Sequence, residues 1–347
     1  MTSFVSEIYG QPDAILETAE SVQTQLESLA PLLRKVQQGD FRRLIFTGMG
    51  SSLSATYPSL LRLARLNIDV HAIEASELLH YRAQNLTPQT LLIVVSQSGR
   101  SAEIPGLLDV ASQSDTPVLG ITNTPGSLLH QRSQEAILIK AGEESTVSTK
   151  TYTCTLTLLH LLTTALLGET VDKSVEQIAI VAQAIHQHLD GWRDQMKQLA
   201  EKWTRMAFLE YLGRGHSLAS AVTGALISKE SMKLPTEGMN AGQFRHGPIE
   251  LVDAHFTGIL FTGEAVTRGL NLDLARDIMG YGGQLALIGK LDTAPPGAEW
   301  IRIPDCPPAL LPLLEIVPVQ LFCAEMSVKR GYEAGQFRYI GKVTTHE

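Results

Sequence analysis

The feature that most constrains this chain of 347 residues is a short pattern that occurs twice, about half a chain apart. Phe46-Thr47-Gly48-Met49-Gly50-Ser51-Ser52-Leu53 is an apolar run that stops at glycine, takes a second glycine two residues on and opens into a helix-like stretch. Tyr211-Leu212-Gly213-Arg214-Gly215-His216-Ser217-Leu218 does the same. Both glycines, the serine and the leucine recur at one constant offset, and an internal duplication of a strand–turn–helix unit is the economical explanation. Around each copy, apolar runs alternate with helical periodicity. In the first half, residues 42–48, 67–75, 90–97, 117–123 and 135–141 read as strands, and 52–66, 76–83, 101–112 and 149–168 as helices. In the second half, 208–215, 255–263, 284–290 and 299–305 read as strands, 217–234 as a helix and 307–331 as a helix broken by prolines. Strands that are apolar throughout and alternate with helices imply an α/β fold with parallel sheets covered on both faces. One amphipathic helix over 11–38 precedes the pattern, and a helical connection over 173–204 divides it. The expected organisation is therefore an N-terminal helix (1–40), a first domain (41–172), the connection (173–204), a second domain (205–331) and a tail (332–347).

Composition narrows the classes of function. Apolar residues at 44% and charged residues at 18% are ordinary globular values, so a disordered chain is excluded. A net charge of −8 with no basic run argues against a nucleic-acid surface. The apolar stretches read as shorter than the roughly 20 residues that cross a bilayer, so no membrane span is expected. The first residues lack the basic region and apolar core of a secretory signal. Cys154, Cys306 and Cys323 are odd in number, far apart and in apolar surroundings. They fit small core residues of a reducing, cytoplasmic protein better than a disulfide or zinc scaffold.

Three hydroxyl-rich loops follow strands. Gly48-Met49-Gly50-Ser51-Ser52 lacks the third glycine of a dinucleotide fingerprint. It serves either as a tight turn with serine caps or as an anion site made by N–H groups at a helix start. Ser96-Gln97-Ser98-Gly99-Arg100-Ser101 ends a buried strand and packs three hydroxyls and an amide into six residues. That donor density, at the carboxyl edge where open α/β sheets bind ligands, suits a phosphate dianion better than a plain helix cap. Ser145-Thr146-Val147-Ser148-Thr149-Lys150 is a third such cluster. In the second half, Glu230 follows Lys229 on a helix with an apolar side, and His246 precedes Gly247-Pro248 in a loop. From the residues alone, a solvated glutamate and a turn-stabilising histidine are favoured over a catalytic pair. His186 and His188 have no partner at metal-ligand spacing, so no metal is expected. His160 reads as a core residue, His216 as a ligand contact or a turn residue, and Lys342 as a solvated tail lysine.

At these motifs the chain resembles the sugar isomerase (SIS) family with two such domains in tandem. The residues that carry the resemblance are Gly50-Ser51-Ser52, Ser96-Gln97-Ser98-Gly99, Val147-Ser148-Thr149-Lys150, Lys229-Glu230, Arg245-His246-Gly247-Pro248 and Arg338-Tyr339-Ile340-Gly341-Lys342. The resemblance implies two doubly wound, flavodoxin-like αβα sandwiches related by duplication. It implies that Gly50, Ser51, Ser52, Ser96, Gln97, Ser98 and Ser101 hold a sugar phosphate and that Ser148 contacts the sugar. It makes Glu230 the base that moves a proton between C1 and C2, reversing the reading from residues alone. By the same resemblance His246 opens the sugar ring from a partner subunit, and Lys342 holds the open sugar as a Schiff base. A homodimer or higher homo-oligomer with shared active sites follows, with no cofactor, no metal, no nucleic acid and no membrane.

Departures from the aminotransferase members of that family shape the expected reaction. Ile227 stands where they place a lysine three residues before the glutamate, and Gly242-Gln243-Phe244-Arg245-His246-Gly247-Pro248 looks more like the deglycase type. The chain begins at the linker helix, without room for a glutamine-hydrolysing domain. The expectation is isomerisation with hydrolytic deamination or deglycation of a 6-phospho amino sugar, giving hexose 6-phosphate and an amine. The alternatives are an aminating ketose–aldose isomerase without its own glutaminase, and a non-catalytic sugar-phosphate sensor.

Overall fold

The structure, a computed structural model, describes residues 2–339 and 341–344. Three helices open the chain: α1 (Ser3–Tyr9), α2 (Gln11–Ser28) and α3 (Ala30–Gln38). The single helix expected over 11–38 is thus two. Pro31 lies in the first turn of α3, where a missing N–H costs nothing, and cannot continue the ladder of α2.

The first sheet is built from β1 (Arg43–Gly48), α4 (Gly50–Ser54), α5 (Tyr57–Leu63), β2 (Asp69–Glu74), α6 (Ala75–Tyr81), β3 (Thr90–Val95), α7 (Glu103–Gln113), β4 (Val118–Thr122), α8 (Leu128–Arg132) and β5 (Glu135–Leu138). The helix expected over 52–66 is α4 and α5, restarted at Pro58 for the reason seen at Pro31. The strands run in the order β2-β1-β3-β4-β5, all parallel. Every residue of β3 is buried, whereas edge strands β2 and β5 are partly exposed. That gradient is what a sheet covered on both faces produces. Ile45, Leu92 and Val94 of the sheet pack with Leu78 of α6 and Leu107 and Leu108 of α7 in one apolar cluster.

Then come α9 (Lys150–Leu166), α10 (Val171–Lys202), β6 (Leu209–Gly213), α11 (Leu218–Met232), β7 (Thr236–Asn240), α12 (Ala241–Phe244), β8 (Thr257–Phe261), α13 (Ala265–Gly280), β9 (Gln284–Gly289), β10 (Glu299–Arg302) and α14 (Leu311–Lys329). The second sheet runs β10-β9-β8-β6-β7, again all parallel. Read from its other edge, this is the order of the first sheet, strand for strand: 2-1-3-4-5, the flavodoxin-like doubly wound arrangement. The duplicated α/β fold expected from the sequence is the fold observed.

Two compact units result. The first holds sheet β1–β5 and comprises Asp13–Glu144, Lys150–Ala179 and the tail from Tyr339; the second holds sheet β6–β10 and comprises the chain up to Pro12, Ser145–Thr149 and Ile180–Arg338.

Helix α14 corrects two expectations. It runs unbroken across Pro318, with its other prolines at or before its first turn, where no N–H is required. The helical stretch Pro308–Lys329 is also long and apolar enough to cross a membrane by length and composition, contrary to the sequence reading. Yet 83% of its apolar window is buried, and it packs against α11 and α1 as the core helix of the second unit. Strand β7 and helix α13 have no counterpart in the sequence reading, and α1 is a separate short helix within the N-terminal helix expected over 1–40. Strand β7 (TEGMN) is a half-exposed edge strand with no apolar run to announce it.

Candidate active site

In the first unit the strand order reverses between β1 and β3, and the ligand crevice of such a sheet opens beyond the carboxyl ends of those two strands. Both glycine- and serine-rich loops emerge there. Gly48 is the partner of Val95 in the ladder, and a Cβ on it would come to 2.6 Å from the Val95 carbonyl oxygen. Only glycine lets β1 turn so close to β3. Gly50 opens α4 at φ +53, in the left-handed region that glycine enters without strain, and places Ser51 and Ser52 in the first turn.

The loop after β3 is folded by its own side chains. The Gly99 N–H donates to the Ser96 carbonyl at 3.1 Å and to Ser96 Oγ at 3.2 Å. Ser96 Oγ lies 3.2 Å from Ser101 Oγ, and Ser98 Oγ accepts from the Arg100 N–H at 3.2 Å. A hydroxyl that accepts from the backbone still has its own O–H to give, so Ser98 remains a donor. The Gln97 carbonyl is held by the Asn123 N–H at 2.9 Å and the Thr122 hydroxyl at 3.0 Å. Ser96 and Ser98 are nearly buried, at 6% and 8% exposure. The unit therefore brings Gly50, Ser51, Ser52, Ser96, Gln97, Ser98 and Ser101 to one edge of its sheet.

The tail joins the same unit. The Ala102 N–H donates to the Thr344 carbonyl at 3.2 Å, which pins the tail beside the β3 loop. Lys342 Nζ forms an ion pair with Glu144, which is fully buried in side chain. Glu144 also accepts from the Thr151 N–H at 3.0 Å and the Thr151 hydroxyl at 2.6 Å. Burial pushes the Glu144 carboxyl up, but the Lys342 charge and the two Thr151 donors outweigh it and hold the group below the usual carboxylate range. Sequence reasoning passed over Glu144, because nothing in Glu143-Glu144-Ser145 sets it apart from a solvated acid.

In the second unit Glu230 is half-buried near the end of α11, which Lys233 closes in the left-handed conformation at φ +54. Lys233 Nζ donates to the Glu230 carbonyl and, at 2.6 Å, to the Gln336 carbonyl. The neighbouring Gly335 carbonyl accepts from the Val147 N–H at 3.1 Å. Glu7 of α1 takes the Ser145 N–H at 2.7 Å and the Thr146 hydroxyl. Ser148 thus sits on a segment fastened at one end to α1 and linked through 335–336 to the helix end that carries Glu230. Neither Glu7 nor Lys233 was singled out in the sequence, since each acts through a contact distant along the chain.

His246 is placed differently. The α12 turn is anchored by buried Phe244 and by an Arg245–Asp277 ion pair of 2.7 Å, and His246 itself is exposed. His160, read as a core residue, is buried on α9 and receives Arg62.

Residues 40–165 match the family profile described as the SIS domain. The chain is a SIS-domain protein. Over 99% of its length it is 31% identical to glutamine–fructose-6-phosphate aminotransferase [isomerizing] of Pyrococcus horikoshii, and over 88% it is 29% identical to isomerizing enzyme 1 of that name from Arabidopsis thaliana. It spans 57% and 46% of the length of those two relatives. Among solved structures, the C-terminal domain of glucosamine-fructose-6-phosphate aminotransferase from Francisella tularensis superposes with a TM-score of 0.88 at 22% identity, covering 97% of this chain and 98% of that one. Tagatose-6-phosphate ketose/aldose isomerase from Escherichia coli gives 0.83 at 20% identity, covering 98% and 96%. Glucosamine-6-phosphate deaminase from Thermotoga maritima gives 0.77 at 19%, covering 99% of both chains. At these identities the structural likenesses establish a shared SIS fold. The sequence relatives are isomerizing aminotransferases by name, which fits the aminating alternative better than the hydrolytic reading favoured by the sequence alone.

Proposed function

We propose that this SIS-domain protein is a ketose–aldose isomerase of 6-phosphosugars that works on the imine of an amino sugar, in the aminating manner. The observation that carries the reading is the pairing of a hydroxyl cradle at the β1/β3 edge with Lys342, a primary amine pinned to the same unit by Glu144 and Thr344. In this reading Ser51, Ser52, Ser96, Gln97, Ser98 and Ser101 hold the phosphate. Lys342, after giving up a proton to water, attacks the C2 carbonyl of the opened ketose as a neutral amine, water leaves, and ammonia then displaces the lysine to give the C2 imine. The C1–H next to C=N is acidic. Glu230 takes that proton and returns it to C2, which turns the ketose imine into a 2-amino aldose. Ser148 steadies the sugar, and His246 opens the ring. The exposure of His246 supports its supply from a partner subunit in a homodimer or larger homo-oligomer.

Hydrolytic release of the amine stays as a second reading on one observation. Ile227, with no exposure, occupies the position where the aminotransferases place a lysine. The two are separated by assaying fructose 6-phosphate with ammonium for glucosamine 6-phosphate, and glucosamine 6-phosphate or fructosamine 6-phosphate adducts for free amine. Synthesis is expected; turnover confined to amine release favours the hydrolytic reading. Glu230→Gln should lower either turnover by about 10²–10⁴-fold with sugar-phosphate binding retained.

A further inference from the structure

Because both sheets share one strand order, the second unit has a switch point of its own, between β6 and β8. Gly48 pairs with Val95, and one step beyond the Leu212–Leu260 pair Gly213 falls beside Phe261. This register gives each of the five serines of the first cradle a polar counterpart, while Gln97 falls on Gly263 and its amide is lost. Ser52, Ser96 and Ser101 correspond to Ser217, Thr262 and Thr267, so three hydroxyls persist. Ser51 and Ser98 correspond to His216 and Glu264, so two donors have become an ionisable pair.

The replacements meet each other. His216 Nδ1 lies 3.0 Å from Glu264 Oε1. Gly215 is the counterpart of Gly50 and shares its left-handed conformation, at φ +56 against +53. A Cβ at Gly215 would collide with Glu264 Oε1, so this carboxylate lies directly over the turn. A second carboxylate, Glu315 of α14, accepts from the Ser217 hydroxyl at 2.7 Å and the Ser220 hydroxyl at 2.6 Å. Thr262 Oγ1, Thr267 Oγ1 and His216 Nε2 are sealed from solvent and make no hydrogen bond among the described residues. Buried polar atoms without partners cost stability and call for an explanation. As the remnant of an anion cradle they have an explanation.

We propose that the second switch point is a duplicated anion cradle closed by the chain's own carboxylates, Glu264 and Glu315, with Glu264 and His216 setting one phosphate per chain. The stoichiometry rests on the phosphate reading of the first cradle; the closure does not. Inorganic sulfate, a tetrahedral anion that stays doubly charged at pH 6, is the probe. At that pH Glu315, pushed up to about 7 by burial, keeps its proton and does not repel the anion. Calorimetric titration of the wild type should give one sulfate per chain, weakened at least about 10-fold by Ser98→Ala. The His216→Ser/Glu264→Ser double variant should bind two, the second insensitive to Ser98→Ala and visible in crystals beside Gly215. Retention of the first site shows that the variant is folded, and Glu264→Ser alone serves if the double variant is not. A wild type with two sulfates, or a folded variant that gains none, overturns the closure. A wild type with none contradicts the phosphate reading, and a site gained by the variant would still support the closure.

Discussion

The chemistry of this chain is concentrated in a few carboxylates whose charge depends on what surrounds them. Glu144 is charged because Lys342 and Thr151 stabilise its anion in a buried place. Its folded pKa lies below the unfolded one, so the stability it contributes is present above about pH 4.5 and is lost as pH falls through the folded value. Lys342→Ala leaves that carboxylate buried without its cation, which should cost about 3 kcal/mol at pH 7 in urea denaturation. The deficit should shrink towards pH 5 as Glu144 takes up a proton; a deficit independent of pH would mean that the pair is not the source. Glu210 is the opposite case. It has no exposure, and neither oxygen finds a partner among the described residues. Burial, aided by Glu237 on the adjacent strand and opposed by Lys229, pushes it up to about 8. A raised carboxyl contributes stability below its unfolded pKa and loses it as pH rises through the folded one. Glu315, pushed up to about 7, is already half titrated at pH 7 and its share fades towards pH 8, so the loss between pH 7 and 8 belongs mainly to Glu210, with a slope of up to about 1.4 kcal/mol per pH unit. Glu210→Gln should flatten that part of a stability-against-pH curve. None of these carboxylates was legible as special in the sequence, because burial and charge partners are tertiary facts.

At the scale of elements, the strands with continuous apolar runs were legible: β1, β3, β4, β8 and β9 stand where the pattern places them. What escaped was decided by other forces. Edge strand β7 has no apolar run, and α13 has only a weak apolar side among many polar residues. Prolines divide α2 from α3 and α4 from α5 yet leave α14 whole, so their effect depends on position within the turn rather than on number. The glycine turn is the element that most directly shapes the cradle. Gly48→Ala drives a methyl group against the Val95 carbonyl and should cost about 2–3 kcal/mol by overpacking, while weakening sugar-phosphate binding by shifting the Ser51–Ser52 turn. Gly39→Ala is the control. Its φ of +80 disfavours a side chain, but no atom of the described residues lies within 4 Å of the added Cβ. It should cost about 1 kcal/mol and leave binding unchanged. Equal binding in both variants would show that the close approach of β1 and β3 does not position the cradle.

For the molecule as a whole, one sheet topology used twice carries two different edges. The edge of the first unit presents hydroxyls, and that of the second is filled with its own carboxylates. The repeat of Gly-x-Gly-x-Ser was enough to read the duplication, and the change from Ser98 to Glu264 between copies becomes visible only once the strand register aligns them. The function rests on one central claim, that Glu230 moves a carbon-bound proton of a 6-phosphosugar. The most direct test is to incubate the protein with glucosamine 6-phosphate in heavy water and follow the C1 and C2 protons by NMR. Wild-type protein should exchange deuterium into the carbon skeleton, and Glu230→Gln should slow that exchange by at least about 100-fold while still binding the sugar. Exchange at the wild-type rate in the variant, or none in the wild type, would contradict the account.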